Sequence, residues 1–216
     1  MKLRVLTIGD IVGPPGLKLL SRKLVDFIAE HEIDVTIANA ENSVAGSGVN
    51  PSVVKQLLAL GVDVITTGDH VWRRKEIIPV LEKDRRIIRP ANFKDDAPGR
   101  GWTVVTSRNG VDVGVVQVLG RVFMPPVECP FDAVDKALRE VRPRTKIIFV
   151  EFHAEATSEK VAMGYFLDGR VSAVYGTHTH VPTADIKILE EGTAYITDIG
   201  MTGPHFSVLG LSLIHI

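Results

Sequence analysis

The chain lacks the raw material for several common kinds of site. It contains one cysteine, Cys129, among 216 residues, which excludes an intramolecular disulfide and a multi-cysteine zinc site. Any metal must therefore be held by oxygen and nitrogen donors. An excess of positive charge is also missing: the formal net charge is -1, and no Lys/Arg run supplies the footprint that duplex nucleic acid requires. No apolar run approaches the ~20 residues of a membrane-spanning helix. The short apolar stretch at 3–8 stops at Gly9-Asp10 without a small-residue cleavage site, so a cytoplasmic setting is expected. Linkers, internal repeats and low-complexity tracts are absent too, and a single domain over 1–210 is expected.

What is present is ordinary in amount and informative in order. Hydrophobic residues make up 45% and charged residues 24%, as in folded globular proteins. A buried strand is expected at 3–8, a glycine and proline loop at 9–16 and an amphipathic helix at 17–30. A strand at 34–40 precedes a helix capped by Asn50, with Pro51 at its first position, and another strand follows at 62–66. Beyond a helix at 73–82, Asn109-Gly110 marks a hairpin between runs at 102–107 and 111–119. Then come a helix at 131–141, a strand at 146–150, a helix opening at 157–160, a strand at 171–175, a hairpin at 186–197 and a glycine-rich loop at 198–204. Strands alternating with helices predict an α/β fold, in which ligands gather at the carboxyl ends of the strands.

Those strand ends carry the chemistry. In Gly176-Thr177-His178-Thr179-His180, an extended backbone would project both imidazoles to one side. Taken alone the pair is weak evidence, since histidines also sit in loops and satisfied cores. Upstream, however, Asp10 follows the first strand, Glu41-Asn42 the second, Asp69-His70 the third, and His153 a later one. Any single acid there could instead cap the next helix. Gly9 and Lys18 do not make a phosphate-binding P-loop, because Gly-Lys-Ser/Thr is missing. Together Asp10, Glu41, Asn42, Asp69, His153, His178 and His180 suffice for two divalent ions: carboxylates neutralise and bridge hard cations, and His and Asn complete the coordination. His70 is then free to protonate a leaving oxygen.

The segments that hold these residues resemble the YmdB-like branch of the bacterial calcineurin-type metallophosphoesterases. The resemblance rests on Gly-Asp-Ile-Val-Gly at 9–13, Asn-Ala-Glu-Asn at 39–42 and Thr-Gly-Asp-His-Val-Trp at 67–72. It continues through Phe-His-Ala-Glu-Ala-Thr-Ser-Glu-Lys at 152–160, Gly-Thr-His-Thr-His-Val-Pro-Thr-Ala-Asp at 176–185 and Thr-Asp-Ile-Gly-Met-Thr-Gly-Pro at 197–204. It implies a four-layer α/β/β/α sandwich, a dinuclear centre of iron or manganese, and phosphodiesterase activity that can include 2',3'-cyclic nucleotides. By position, Asp10, Asn42 and His180 would hold one ion, Asp69, His153 and His178 the other, and Glu41 would bridge them, with His70 as proton donor. The same ligands also serve zinc within the usual affinity order. A small phosphodiester or cyclic nucleotide is the implied partner, and a symmetric homo-oligomer is compatible with the sequence.

Two departures accompany the resemblance. The family usually carries asparagine where this chain has Asp69, so the site gains a third carboxylate, which should raise the pKa of bound water. The family also continues beyond the Met-Thr-Gly-Pro motif, so the C-terminal part is expected to be truncated, and 211–216 to be a non-native tail. Among other functions, a metal-dependent amide hydrolase or deaminase on a (β/α)8 barrel needs a longer chain with His-x-His near its start. A non-catalytic metal-binding regulator or scaffold remains the alternative. Trp72 and Trp102 read as packing or pocket walls, Asn92 as a turn residue or phosphate contact, and Glu155 and Lys160 as helix-start residues near the site.

Overall fold

A computed structural model describes residues 2–211. Of the expected non-native tail, 212–216 lies outside the described residues. The chain folds into a mixed α/β structure in which two sheets pack against each other.

The first sheet is parallel. It is built from β1 (Val5–Ile8), β3 (Val35–Asn39) and β4 (Val64–Thr66), with β3 in the middle. Directly after β1, the two-residue β2 (Asp10–Ile11) pairs in parallel with β11 (Met201–Thr202). The motif at 197–204 therefore closes on the motif at 9–13. The second sheet has the order β5-β6-β7-β8-β10-β9, from Trp102–Thr106, Asp112–Leu119, Ile148–His153, Ala173–Thr177, Ala194–Ile196 and Lys187–Ile188. Its first and last pairs are antiparallel hairpins, and its interior is parallel. Gly110 and Gly192, at φ 83° and 98°, turn the two hairpins where the sequence places them.

Alternate residues of the strands face different neighbours, as a period of two requires. Ile37 and Val35 of β3, with Val64 of β4, meet Val113 and Val115 of β6 in one buried cluster between the sheets. On the other face of the first sheet, Ala38 and Ile65 pack with Leu20 and Leu24 of α1 (Gly13–Glu30) and Val53, Val54 and Leu57 of α2 (Pro51–Ala59). On the other face of the second, Val116 and Val150 pack with Val134, Leu138 and Val141 of α4 (Pro130–Val141) and Met163 of α5 (Thr157–Phe166).

Helix boundaries follow their caps. Asn50 Oδ1 accepts the Val53 amide at 2.9 Å and Pro51 occupies the first turn of α2, as read from the sequence. The expected loop at 9–16 is corrected: α1 begins at Gly13 and takes Pro14 and Pro15 into its first turn. In the first turn of a helix a backbone N–H has no intrahelical partner, so the N–H that proline lacks is not missed there, and Pro-Pro opens this helix rather than preventing it. The helix expected at 73–82 forms as a 3-10 turn, Lys75–Ile77, continued by α3 (Ile78–Lys83). Among the described residues, no helix is long and apolar enough to cross a membrane.

Candidate metal centre

The strand ends of both sheets meet at one place. From the first sheet come Glu41 and Asn42 after β3, and Asp69 and His70 after β4, with Asp10 on β2 just beyond β1. From the second come His153, the last residue of β7, and His178 and His180 after β8. A ligand atom from each of Glu41, Asp69, His153 and His178 lies within 4.8 Å of the others. His153 Nε2 sits 3.1 Å from Glu41 Oε1, 3.3 Å from Asp69 Oδ1 and 3.1 Å from His178 Nδ1. A second group adjoins it: His180 Nε2 is 3.6 Å from Asp10 Oδ2 and 3.2 Å from Asn42 Nδ2. Glu41 stands between the groups, its Oε1 also accepting from Asn42 Nδ2 at 3.1 Å.

Backbone placement explains why these side chains can approach. Glu41 is oriented by its own amide, which donates to Asn39 Oδ1 at 3.0 Å, and its Oε2 accepts the His70 amide at 3.2 Å. Gly68 is required by close approach: a Cβ there would collide with Glu41 Oε2 and His153 Nε2. The extended geometry expected for His178 and His180 is corrected. Both adopt left-handed backbone, with φ 97° and 64°, and their rings enter different groups. Such conformations are strained for a side chain with a Cβ and persist only where neighbours over-determine them. Here Asp10 Oδ2 accepts the His178 amide at 2.9 Å, and Thr179 Oγ1 donates to Asp198 Oδ2 at 2.8 Å. Asp198 is itself held at 2.6 Å by the buried ammonium of Lys160.

The outer ring nitrogens have acceptors of their own. His180 Nδ1 lies 2.8 Å from the Leu209 carbonyl, and His178 Nε2 lies 3.3 Å from Glu155 Oε2. Each anchor leaves the other nitrogen with a lone pair facing the cluster, the arrangement found around metal-ligating imidazoles. His70 spans the two groups, with Nδ1 2.7 Å from Asn42 Oδ1 and Nε2 3.5 Å from Asp69 Oδ2.

The electrostatics are those of crowded, dry groups. Burial pushes the Asp10 carboxyl well above its usual range, against the pull of His153. Burial would lower the His153 imidazole, but Glu41, Asp69 and Asp10 around it hold it well above the ordinary value. Burial would likewise raise Glu41 and Asp69, yet His153 holds both low. His178, buried and beside His153, falls to about 4. Asp10 Oδ1 is inaccessible to solvent and has no hydrogen-bond partner among the described residues. A buried lone pair without a donor, beside carboxylates and imidazoles turned inward, is what a cation site offers in place of hydrogen bonds.

Other residues singled out by sequence have structural roles. Buried Asn92 donates to the carbonyls of Leu119 and Glu128 at 2.7 and 3.0 Å and accepts the Leu119 amide. It ties two loops together rather than reaching the cluster. Trp72 packs on Phe93 with ring centroids 4.5 Å apart. Conversely, sequence reading gives no role to Gln117, Glu151 or Asp198, which are all buried near or behind the site. Their one visible signal is a polar side chain in, or at the end of, an otherwise apolar strand.

Known proteins resemble this chain along most of its length. A family model described as YmdB-like protein matches residues 6–215. The chain is 46% identical over 209 residues to the 2',3'-cyclic-nucleotide 2'-phosphodiesterase of Bacillus subtilis (strain 168), covering 97% of this chain and 79% of that protein. The structure resembles the crystal structure of a hypothetical protein from Thermus thermophilus, with TM-score 0.90 and 44% identity over 96% of this chain and 80% of that one. It also resembles that of a phosphatase from Mycoplasma pneumoniae, with TM-score 0.87 and 34% identity over 96% of this chain and 75% of that one. The chain belongs to the YmdB-like protein family.

Proposed function

We propose that this chain is a dinuclear metal-dependent phosphodiesterase that hydrolyses 2',3'-cyclic nucleotides. The observation that carries the reading is the convergence of two donor groups on either side of Glu41, in a chain similar along nearly its whole length to a 2',3'-cyclic-nucleotide 2'-phosphodiesterase. Asp10, Asn42 and His180 would hold one ion, and Asp69, His153 and His178 the other, with Glu41 shared. Iron or manganese fits this oxygen and nitrogen set, and zinc could occupy it. Bound there, divalent ions supply Lewis acidity for an in-line displacement at phosphorus. The three packed clusters support a four-layer α/β/β/α arrangement, whose inner layers carry the site.

The chain's own residues handle the proton. Asn42 Nδ2 is turned to Glu41 Oε1, so its Oδ1 faces His70 Nδ1 and requires a proton on that nitrogen, while the second lone pair of Oδ1 is the one that would meet an ion. The protonated ring then presents Nε2–H as the donor for the leaving oxygen. His70 is partly exposed while Glu41 and His153 are fully buried, which suits a group that must meet substrate and exchange protons with solvent.

The test is hydrolysis of 2',3'-cyclic AMP by protein stripped of metal and reconstituted with manganese or ferrous iron, beside Asp10→Ala and His70→Ala. Turnover should require metal, and His70→Ala should lose roughly 10²- to 10⁴-fold in kcat, as removal of a general acid does. Folded, metal-loaded protein that turns over no phosphoester would instead favour the non-catalytic regulator.

A further inference from the structure

Glu151 is a carboxylate buried behind the metal centre whose contacting donors are all uncharged side chains. It lies two residues before His153 on β7, so both side chains leave the same face of the strand. Register places Gln117 of β6 beside it on one flank and Tyr175 of β8 on the other, while Thr177 of β8 lies opposite His153. Asn39 reaches it from the first sheet. Oε1 receives Asn39 Nδ2 at 2.6 Å, Gln117 Nε2 at 2.9 Å and Thr177 Oγ1 at 2.9 Å, and Oε2 receives the Tyr175 hydroxyl at 3.2 Å.

The amide orientations are fixed independently of Glu151. Asn39 Oδ1 accepts the Glu41 amide, and Gln117 Oε1 accepts the Thr67 amide at 3.1 Å, so both side chains must turn their NH2 groups toward the carboxylate. Burial and the Glu151 charge hold the Tyr175 hydroxyl well above its ordinary range, which keeps it a donor. With Oε1 saturated by donors, it has no proton to give, and the single hydrogen of the Thr177 hydroxyl points at it. Thr177 Oγ1 therefore accepts from His153 Nδ1, 2.8 Å away. In the neutral ring, the form that can bind a cation, the remaining Nε2 lone pair faces Glu41, Asp69 and His178. An isolated buried carboxylate is costly; cationic charge gathered on the far side of Thr177 and His153 is what would offset this one.

Building on the metal centre proposed above, we propose that Glu151 is a positioning residue for metal binding: acting through Thr177, it fixes the His153 tautomer and raises the basicity of Nε2. The relay is built from a saturated acceptor, one hydroxyl and one imidazole; among the described residues Thr177 Oγ1 is the one hydrogen-bond partner of His153 Nδ1, with the Asp10 carboxylate 4.0 Å away.

The experiment is a competitive chelator titration with Mn2+ on wild type, Glu151→Gln, Thr177→Val and Thr177→Ser. It is read by bound-metal stoichiometry and by the electron paramagnetic resonance signal that separates coupled from isolated Mn2+. Wild type should take two equivalents. Glu151→Gln and Thr177→Val should each weaken one equivalent roughly 10- to 100-fold and leave the other unchanged, giving an isolated-ion signal, and Thr177→Ser should restore both. If Glu151→Gln does not fold, Thr177→Val still decides, because it cuts the relay and leaves the Glu151 amide contacts in place. Folded variants that bind both equivalents as wild type does would overturn the inference alone. Wild type that binds no Mn2+ would overturn it together with the metal centre on which it rests.

Discussion

Asp69 shows how one side chain can reset the site. Its Oδ1 lies 3.3 Å from His153 Nε2 and 3.6 Å from His178 Nδ1, and its Oδ2 faces His70, so the extra carboxylate stands among the proposed ligands rather than beside them. A third negative charge reduces the net positive field that lowers the pKa of bound water. Asp69→Asn should therefore move the pH optimum of manganese-reconstituted protein downward, and an optimum that stays in place would remove Asp69 from the coordination set. His178 makes a different prediction, for chelator-treated protein. Its pKa of about 4 lies below the 6.5 of an unfolded histidine. The unfolded chain thus takes up a proton first, and stability is lost as pH falls from 6.5 towards 4, by ~3 kcal/mol for this one group. His153, held high, contributes fully throughout that window, and Asp10, held well above its usual range by burial, opposes the loss as it takes up its proton. The clean readout is the difference between wild type and His178→Gln: the variant should lose less stability over this range in urea titrations at stepped pH.

Elements carry the next level, and here some things are legible in sequence and others are not. Asn50-Pro51 and Asn109-Gly110 announce a helix start and a hairpin because their rules are local: a side-chain cap and a left-handed turn residue. The left-handed backbone of His178 and His180 is not legible, since it is imposed by Asp10, Asp198 and Lys160 from distant parts of the chain. The Glu151 relay escapes for the same reason: it depends on which strands neighbour β7. The donors of the proposed centre could be read from residue type and strand-end position, whereas their division into two groups came only with the resemblance to a known family, because no local rule assigns a donor to an ion. Two substitutions test these elements. Gly68→Ala places a Cβ against Glu41 and His153, so it should abolish metal binding while far-ultraviolet circular dichroism stays near wild type. Lys160→Met leaves Asp198 buried and unpaired, which should cost ~3–5 kcal/mol, measured as a lower urea midpoint, and should weaken Mn2+ binding by freeing the His178–His180 segment.

For the molecule as a whole, the site is a fastener between two sheets. Apart from their shared cluster of Val35, Ile37, Val64, Ile88, Val113 and Val115, the sheets are joined at their strand ends by donors from opposite sides: Asp10, Glu41, Asn42 and Asp69 face His153, His178 and His180. Without a cation, these buried carboxylates and imidazoles must balance one another by sharing protons, as their opposed pKa shifts record. A cation bound by both sheets relieves that conflict only in the folded state, so binding and folding are linked. Mass action sets the size: free metal at a thousand times Kd should stabilise the fold by ~4 kcal/mol. For a chain of this length that is a rise in Tm of roughly 8–16 °C. Thermal melts of chelator-treated protein against increasing Mn2+ should show this rise. Asp10→Ala and His153→Ala should each flatten it, although the two residues lie on separate strands, β2 and β7, that do not pair with each other. A Tm indifferent to metal, in protein that melts cooperatively, would mean that the strand ends meet without a cation between them, and that the proton-sharing network is the functional state of the site.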